Sequence, residues 1–152
     1  MALYVVTGPP CGGKSTWVTE RARAGDLVID LDAIASALTP GGDGHTHPRH
    51  VLRCAQRARS VVIDEALKHS ARVDVYVIHM LPSAQVMARY EQHGAHVVTL
   101  DPGRAVVEAR VREQRPPGTL AVVARWYARP MITTAVTHGD VDQGEAVHSR
   151  SW

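Results

Sequence analysis

Unbroken apolar runs alternate along this chain with stretches that repeat at helical spacing. Leu3-Tyr4-Val5-Val6-Thr7 is apolar and β-rich up to Gly8-Pro9-Pro10. Continuous rather than alternating apolarity marks a strand covered on both faces, so this run predicts a central parallel strand. Lys14 to Arg23 predicts a helix closed by Gly25, and Leu27-Val28-Ile29-Asp30 a second strand. A short helix over Asp32 to Leu38 leads into Thr39 to Pro48, whose glycines, prolines and histidines read as an irregular and mobile loop. From Pro48 a long amphipathic helix runs to about His69, with Val51, Leu52, Ala55, Val62, Ile63 and Ala66 on one side. Val73 to His79 predicts a third strand, Ser83 to His93 a helix ended by Gly94, and Val97 to Leu100 a fourth strand. Asp101-Pro102-Gly103 breaks the chain before a charged helix, Arg104 to Gln114. Arg115-Pro116-Pro117-Gly118 breaks it again before a last helix, Leu120 to Tyr127. Beyond Pro130 the periodicity is lost, and Thr137 to Trp152 reads as a loosely held tail. With no internal repeat and no linker, the alternation predicts an α/β three-layer fold with a mostly parallel sheet of four to five strands.

At 152 residues and 45% hydrophobic content, the chain has enough material for one domain with a real core. No apolar run approaches the roughly 20 residues of a membrane helix, and the N-terminus lacks a basic stretch followed by an apolar signal core. Cys11 and Cys54 make neither a disulfide framework nor a zinc pattern, so a reducing, cytoplasmic setting is expected. A net charge of +2 argues against coating nucleic acid by bulk electrostatics and leaves room only for local contact. Lys14 and Lys68 are the two lysines, against a background of arginine, which makes Lys14 conspicuous.

Gly8-Pro9-Pro10-Cys11-Gly12-Gly13-Lys14-Ser15 matches G-x-x-x-x-G-K-[ST] in full, after a predicted strand and before a predicted helix. Glycines at this spacing let backbone N–H groups turn inward around a β-phosphate, and the helix adds its positive end. Lys14 would reach the β- and γ-phosphates, and Ser15, followed by Thr16, would offer its hydroxyl to Mg²⁺. Gly8 through Thr16 is therefore the expected ATP site. Cys11 lies where a thiolate would be stabilised, yet reads as a tolerated loop residue without redox function. Asp30 and Asp32 fall at the C-terminal end of the second strand, the edge where a parallel sheet binds its ligands. Asp32, read as the first residue of the next helix, either caps it or accepts the proton of an acceptor hydroxyl aimed at the γ-phosphate.

With this loop and this acidic position the sequence resembles the small P-loop kinases. The likeness is to the polynucleotide-kinase-like group, which includes chloramphenicol phosphotransferase and the shikimate and gluconate kinases. It is also similar to the short P-loop ATPase or kinase proteins of actinobacterial phages. The resemblance covers about Met1 to Pro130, implying one nucleotide-kinase-like domain over 1–130 with residues 131–152 as a tail. It implies that the Asp after the second strand is a general base, which by register is Asp32, with Asp30 as the fallback. Where the polynucleotide kinases usually run into Arg-Asp-Asp, this chain reads Asp30-Leu31-Asp32-Ala33. It further implies a lid after the fourth strand, here 104–118, whose arginines close over the transferring phosphoryl group. Arg115 is the first choice for that role and Arg110 the second, while Arg104, Glu108 and Arg112 also form an i, i+4 ladder.

Several signals keep two readings. Arg49, Arg53 and Arg57 recur every four residues and form either a solvated face or a basic wall for an anionic acceptor. His79 either contacts nucleotide or acceptor or merely ends its strand. Trp126 and Tyr127 are a core anchor or a stacking surface for adenine. His45, His47 and His50 lack a carboxylate or cysteine at defined spacing, so no native metal site is expected of them. The expected function is transfer of the γ-phosphoryl group of Mg·ATP to a hydroxyl, a polynucleotide 5′-OH or a nucleotide or nucleoside. The alternatives are a nucleoside monophosphate kinase and a nucleotide-dependent switch or ATPase module. No glutamate stands as a water activator after a hydrophobic strand, which weakens the hydrolase reading.

Overall fold

A computed structural model describes residues 1–41 and 44–129. The tail expected at 137–152, and part of the loop expected at 39–48, lie outside those residues. Four strands form one parallel sheet: β1 (Leu3–Thr7), β2 (Leu27–Ile29), β3 (Val75–Ile78) and β4 (His96–Thr99), in the order β2-β3-β1-β4. The unbroken apolar run becomes an inner strand, as its pattern demands. β1 pairs with β3 from Leu3 opposite Val75 to Val6 opposite Ile78, and with β4 from Tyr4 opposite His96 to Thr7 opposite Thr99.

The helices are α1 (Lys14–Thr19), α2 (Leu31–Ala37), α3 (Arg49–His69), α4 (Ala84–Gln92), α5 (Arg104–Gln114) and α6 (Thr119–Tyr127). On one face of the sheet, α3 and α4 bury Ile63, Ala66, Leu67 and Tyr90 against Leu3, Val5, Ile29, Val75 and Val77. On the other, Val18 and Trp17 of α1 cover Val6, Tyr76 and Ile78. The result is the expected three-layer α/β sandwich. Two smaller clusters flank it: Ala35 of α2 with Val51 and Ala55 of α3, and Val107, Val111 and Val123 between α5 and α6. The helix α3 therefore belongs to two clusters, its first half to α2 and its second half to the sheet.

Element ends depart from the pattern where local hydrogen bonds intervene. α1 stops at Thr19 and not Arg23, because Asp26 Oδ2 accepts from the Arg23 N–H and Gly25 takes a positive φ of 99°, closing a turn. α2 begins one residue earlier than expected. Its cap is Asp30, whose Oδ1 accepts from the Asp32 N–H at 3.0 Å, so Asp32 sits inside the first turn and does not cap the helix. Ser83 caps α4 by accepting from the Val86 N–H, so that helix starts after it. In α3 the buried stripe is Val51, Ala55, Ile63, Ala66 and Leu67, while Val62 is 43% exposed. Among the described residues no helix is long and apolar enough to cross a membrane.

Candidate active site at the C-terminal edge of the sheet

The glycine-rich loop expected to bind phosphate joins β1 to α1, and its shape is set by close backbone approach. Gly8 has φ 139°, and a Cβ there would lie 2.2 Å from the carbonyl oxygen of Leu100, just past β4. A Cβ on Gly12 would stand 2.9 Å from the Pro9 oxygen and 3.0 Å from the same Leu100 oxygen. Gly13, φ 92°, precedes α1 with open space around it, so only its backbone angle requires glycine. Cys11 is the one non-glycine residue with positive φ among those described.

Lys14 folds back over the loop, its Nζ donating to the carbonyls of Gly8, at 2.9 Å, and Pro9. Burial lowers its pKa to about 8; Arg115 adds to that effect, while Asp30, Cys11 and Asp32 oppose it. Two segments distant in sequence, the start of α2 and the end of α5, thus act on one ammonium together with Cys11 of its own loop. Ser15 Oγ lies 3.4 Å from Asp30 Oδ2, an all-oxygen pair that suits Mg²⁺ better than a softer ion. Thr16 is exposed beside it.

Asp32 stands in the first turn of α2, close enough to act on the Lys14 ammonium. Its Oδ2 lies 3.5 Å from His45 Nδ1 and 3.8 Å from Arg115 Nη1, and its Oδ1 lies 4.0 Å from His47 Nε2. Arg115 follows α5 as its cap, while Arg110, five residues earlier, donates from Nη1 to the Cys11 carbonyl at 3.1 Å. Both arginines expected in the lid therefore reach the site, one at the loop backbone and one at Asp32. Arg104 and Arg112 are engaged by Glu108 on the solvent side. Arg49, Arg53 and Arg57 are exposed on α3. His79 Nδ1 lies 3.1 Å from Tyr90 Oη, and burial followed by Arg59 lowers its pKa to about 4, so it is neutral at pH 7. Trp126 meets Tyr127 edge to face at 4.8 Å, and Tyr127 Oη donates to Asp101 Oδ1.

Sequence reasoning passed over Arg59. Its Nη2 donates to the Ile78 carbonyl at 2.9 Å, at the C-terminal end of β3, and its Nε is buried without a partner. Burial lowers its pKa, with Tyr90 and Asp30 acting in the opposite direction, so the guanidinium lies within electrostatic reach of Asp30. A signal existed: Ala55, Arg59, Ile63 and Leu67 follow one another at i, i+4, so Arg59 is a charge set into an apolar stripe. In the sequence, the spacing of His45 and His47 raises only the question of a metal. Their neighbour is the Asp32 carboxylate, which the spacing H-x-H cannot reveal.

Compared with protein families, the chain matches none, and no curated protein matches its sequence. Among solved structures it is similar to the tunicamycin resistance protein of Deinococcus radiodurans. The two share 20% identity over 83% of this chain and 78% of that one, with a TM-score of 0.49.

Proposed function

We propose that this chain is an ATP-dependent phosphotransferase that moves the γ-phosphoryl group of Mg·ATP to a hydroxyl acceptor, first a polynucleotide 5′-OH or a nucleotide or nucleoside. One observation carries the reading: Asp32 with Arg115 at 3.8 Å, and Asp30 at 3.4 Å from Ser15, gather their charges around Lys14 beside a loop in which Gly8 and Gly12 leave space only for backbone. The backbone N–H groups of the loop and the Lys14 ammonium hold the β- and γ-phosphates, and Ser15 is the residue that would ligate Mg²⁺. Bound there, the ion would neutralise charge on the phosphate oxygens. Transfer needs little covalent help from the protein beyond placement and charge, which Lys14, Arg110 and Arg115 supply around the phosphates. Asp32 supplies the other requirement, a carboxylate that takes the acceptor proton as the new O–P bond forms and the γ-phosphoryl group leaves ADP.

The test is γ-³²P transfer from Mg·ATP to a panel of 5′-hydroxyl oligonucleotides, nucleosides, nucleoside monophosphates and small metabolites. Asp32→Asn should keep ATP affinity within a fewfold and lower transfer by about 10² to 10⁴, the usual contribution of a general base. An Asp32→Asn enzyme that works at more than half the wild-type rate contradicts the hydroxyl-transfer mechanism. A second reading, a nucleoside monophosphate kinase, is favoured by Arg59, a half-buried side chain whose enclosed Nε has no partner and whose charge suits an acceptor phosphate. That enzyme attacks with a phosphate oxygen and would keep its rate in Asp32→Asn.

A further inference from the structure

We infer that His47 is a positioning residue for Asp32, its imidazole Nε2–H being the donor that fixes the plane of the carboxylate against an acceptor hydroxyl. The inference rests on the hydroxyl-transfer reading above and deepens it. The His47 side chain is 3% exposed, and its Nε2 is one of two buried side-chain nitrogens among the described residues with no hydrogen-bond partner. An enclosed polar atom left unpaired opposes folding, so a purely structural role would favour an apolar side chain here. What Nε2 faces is Asp32 Oδ1, 4.0 Å away, beyond hydrogen-bond range. Asp32 Oδ2 looks instead toward His45 and Arg115. The two oxygens thus have separate surroundings, and a shift of about 1 Å brings His47 into bonding distance of the first.

The spacing is built into the packing. His47 immediately precedes Pro48, the cap of α3, and the first half of α3 packs through Val51 and Ala55 on Ala35 of α2, the helix that carries Asp32. A base must present one lone pair along the acceptor O–H while its other oxygen is held. Arg115 and His45 lie at the oxygen nearer the transferring group's lid, and His47 holds the opposite one, which stops the carboxylate from rotating about its terminal bond.

The experiment measures γ-³²P transfer from Mg·ATP to a 5′-hydroxyl oligodeoxynucleotide and, separately, to water. Wild type, His47→Leu, His47→Gln, Asp32→Asn and the Asp32→Asn/His47→Leu double variant are compared, each with its Tm. His47→Leu should melt at or above the wild-type temperature, keep its KM for ATP, and lose kcat by roughly tenfold to a hundredfold, a share of the base's contribution. His47→Gln, which retains an N–H donor, should recover most of that loss, and the double variant should be no slower than Asp32→Asn alone. His47→Leu at full kcat beside a slow Asp32→Asn overturns the role of His47 and leaves the hydroxyl-transfer reading standing. Asp32→Asn at full rate removes both. A His47→Leu variant whose lost rate matches a lost folded fraction marks a structural residue and also overturns the inference. Should neither acceptor be labelled, ¹⁵N spectra of the imidazoles with a non-hydrolysable Mg·ATP analogue decide. An Nε2–H signal of His47 that moves in Asp32→Asn supports the contact, and one that does not move refutes it.

Discussion

The two halves of the candidate site are built in different ways. The phosphate loop is a backbone object: Gly8 and Gly12 press against the Leu100 carbonyl, and Lys14 closes on the Gly8 and Pro9 carbonyls. The side proposed for the acceptor is a side-chain object, in which His45, His47 and Arg115 stand 3.5 to 4.0 Å from the Asp32 carboxylate, the four arriving from three segments. A backbone cradle is shaped before any ligand binds and tolerates few residues. A cluster of side chains at longer spacing has room to tighten around a substrate and can be retuned one residue at a time. Phosphate binding should therefore be rigid and sequence-restricted, and acceptor choice adjustable.

The sharpest way to break this contrast is Gly8→Ala. Its Cβ would fall 2.2 Å from a backbone oxygen at a φ that L residues rarely adopt. A destabilisation of about 2 to 5 kcal/mol follows from overpacking plus positive-φ strain, with phosphate binding lost as well. Gly13→Ala meets open space and should lose only about 1 to 2 kcal/mol from its backbone angle. Urea denaturation of both variants checks the pair, and equal losses would show that the loop is not held by Leu100.

Next in size is Lys14. Lys14→Ala should fold normally yet lose the stabilisation that Mg·ATP gives the wild type, about 2.7 kcal/mol at a hundredfold excess over Kd. In the wild type the free side chain has its pKa at about 8, while bound phosphates favour the ammonium form. The complex then holds more protons than the free protein above that pH. Affinity for Mg·ATP should thus be full below pH 8 and decline as pH rises through it, by at most about tenfold per unit. Calorimetry at pH 7, 8 and 9 in two buffers of different ionisation enthalpy reads both the affinity and the proton uptake; a flat profile contradicts the shift.

The smallest effect is expected at Cys11, the loop residue that strains its backbone without being glycine. Its side chain packs against the Val107, Val111 and Val123 cluster. Cys11→Ala should stay within about 1 kcal/mol of wild type and keep its activity. Alkylation with iodoacetamide should still block ATP binding, because the adduct has to occupy space beside the loop, and bound Mg·ATP should protect the thiol. An inactive Cys11→Ala would show that the thiol itself matters.

How much of this was legible in the sequence follows the same division. The loop could be read because every residue that shapes it, apart from Leu100, lies within eight positions, and the sheet because Leu3 to Thr7 and Val75 to Ile78 are unbroken apolar runs. Helix ends slipped where a side chain captured a backbone N–H, as Asp30 does at α2 and Asp26 does after α1. Arg115 and Arg110 could be nominated from resemblance, but no spacing rule puts Arg115 next to Asp32. The histidine loop was the hardest to read. Its motif invites a question about metal, and only the packing of α2 on α3 shows that its neighbour is a carboxylate. Arg59 was hidden in the opposite way, by the regular arginines at 49, 53 and 57 that draw attention to the exposed face of the same helix.

The double membership of α3 has a consequence for hydrogen exchange. Its second half is bound into the cluster that includes β1 and β3, so amides around Ile63 to Leu67 should exchange only when the whole domain opens. Its first half shares just three buried side chains with α2, namely Ala35, Val51 and Ala55. That unit can unfasten locally while the sheet stays closed, and it carries Asp32 together with the approach to His47. The least protected helical amides should then mark the acceptor side, and the phosphate loop should sit on the slow-exchanging part of the same small domain.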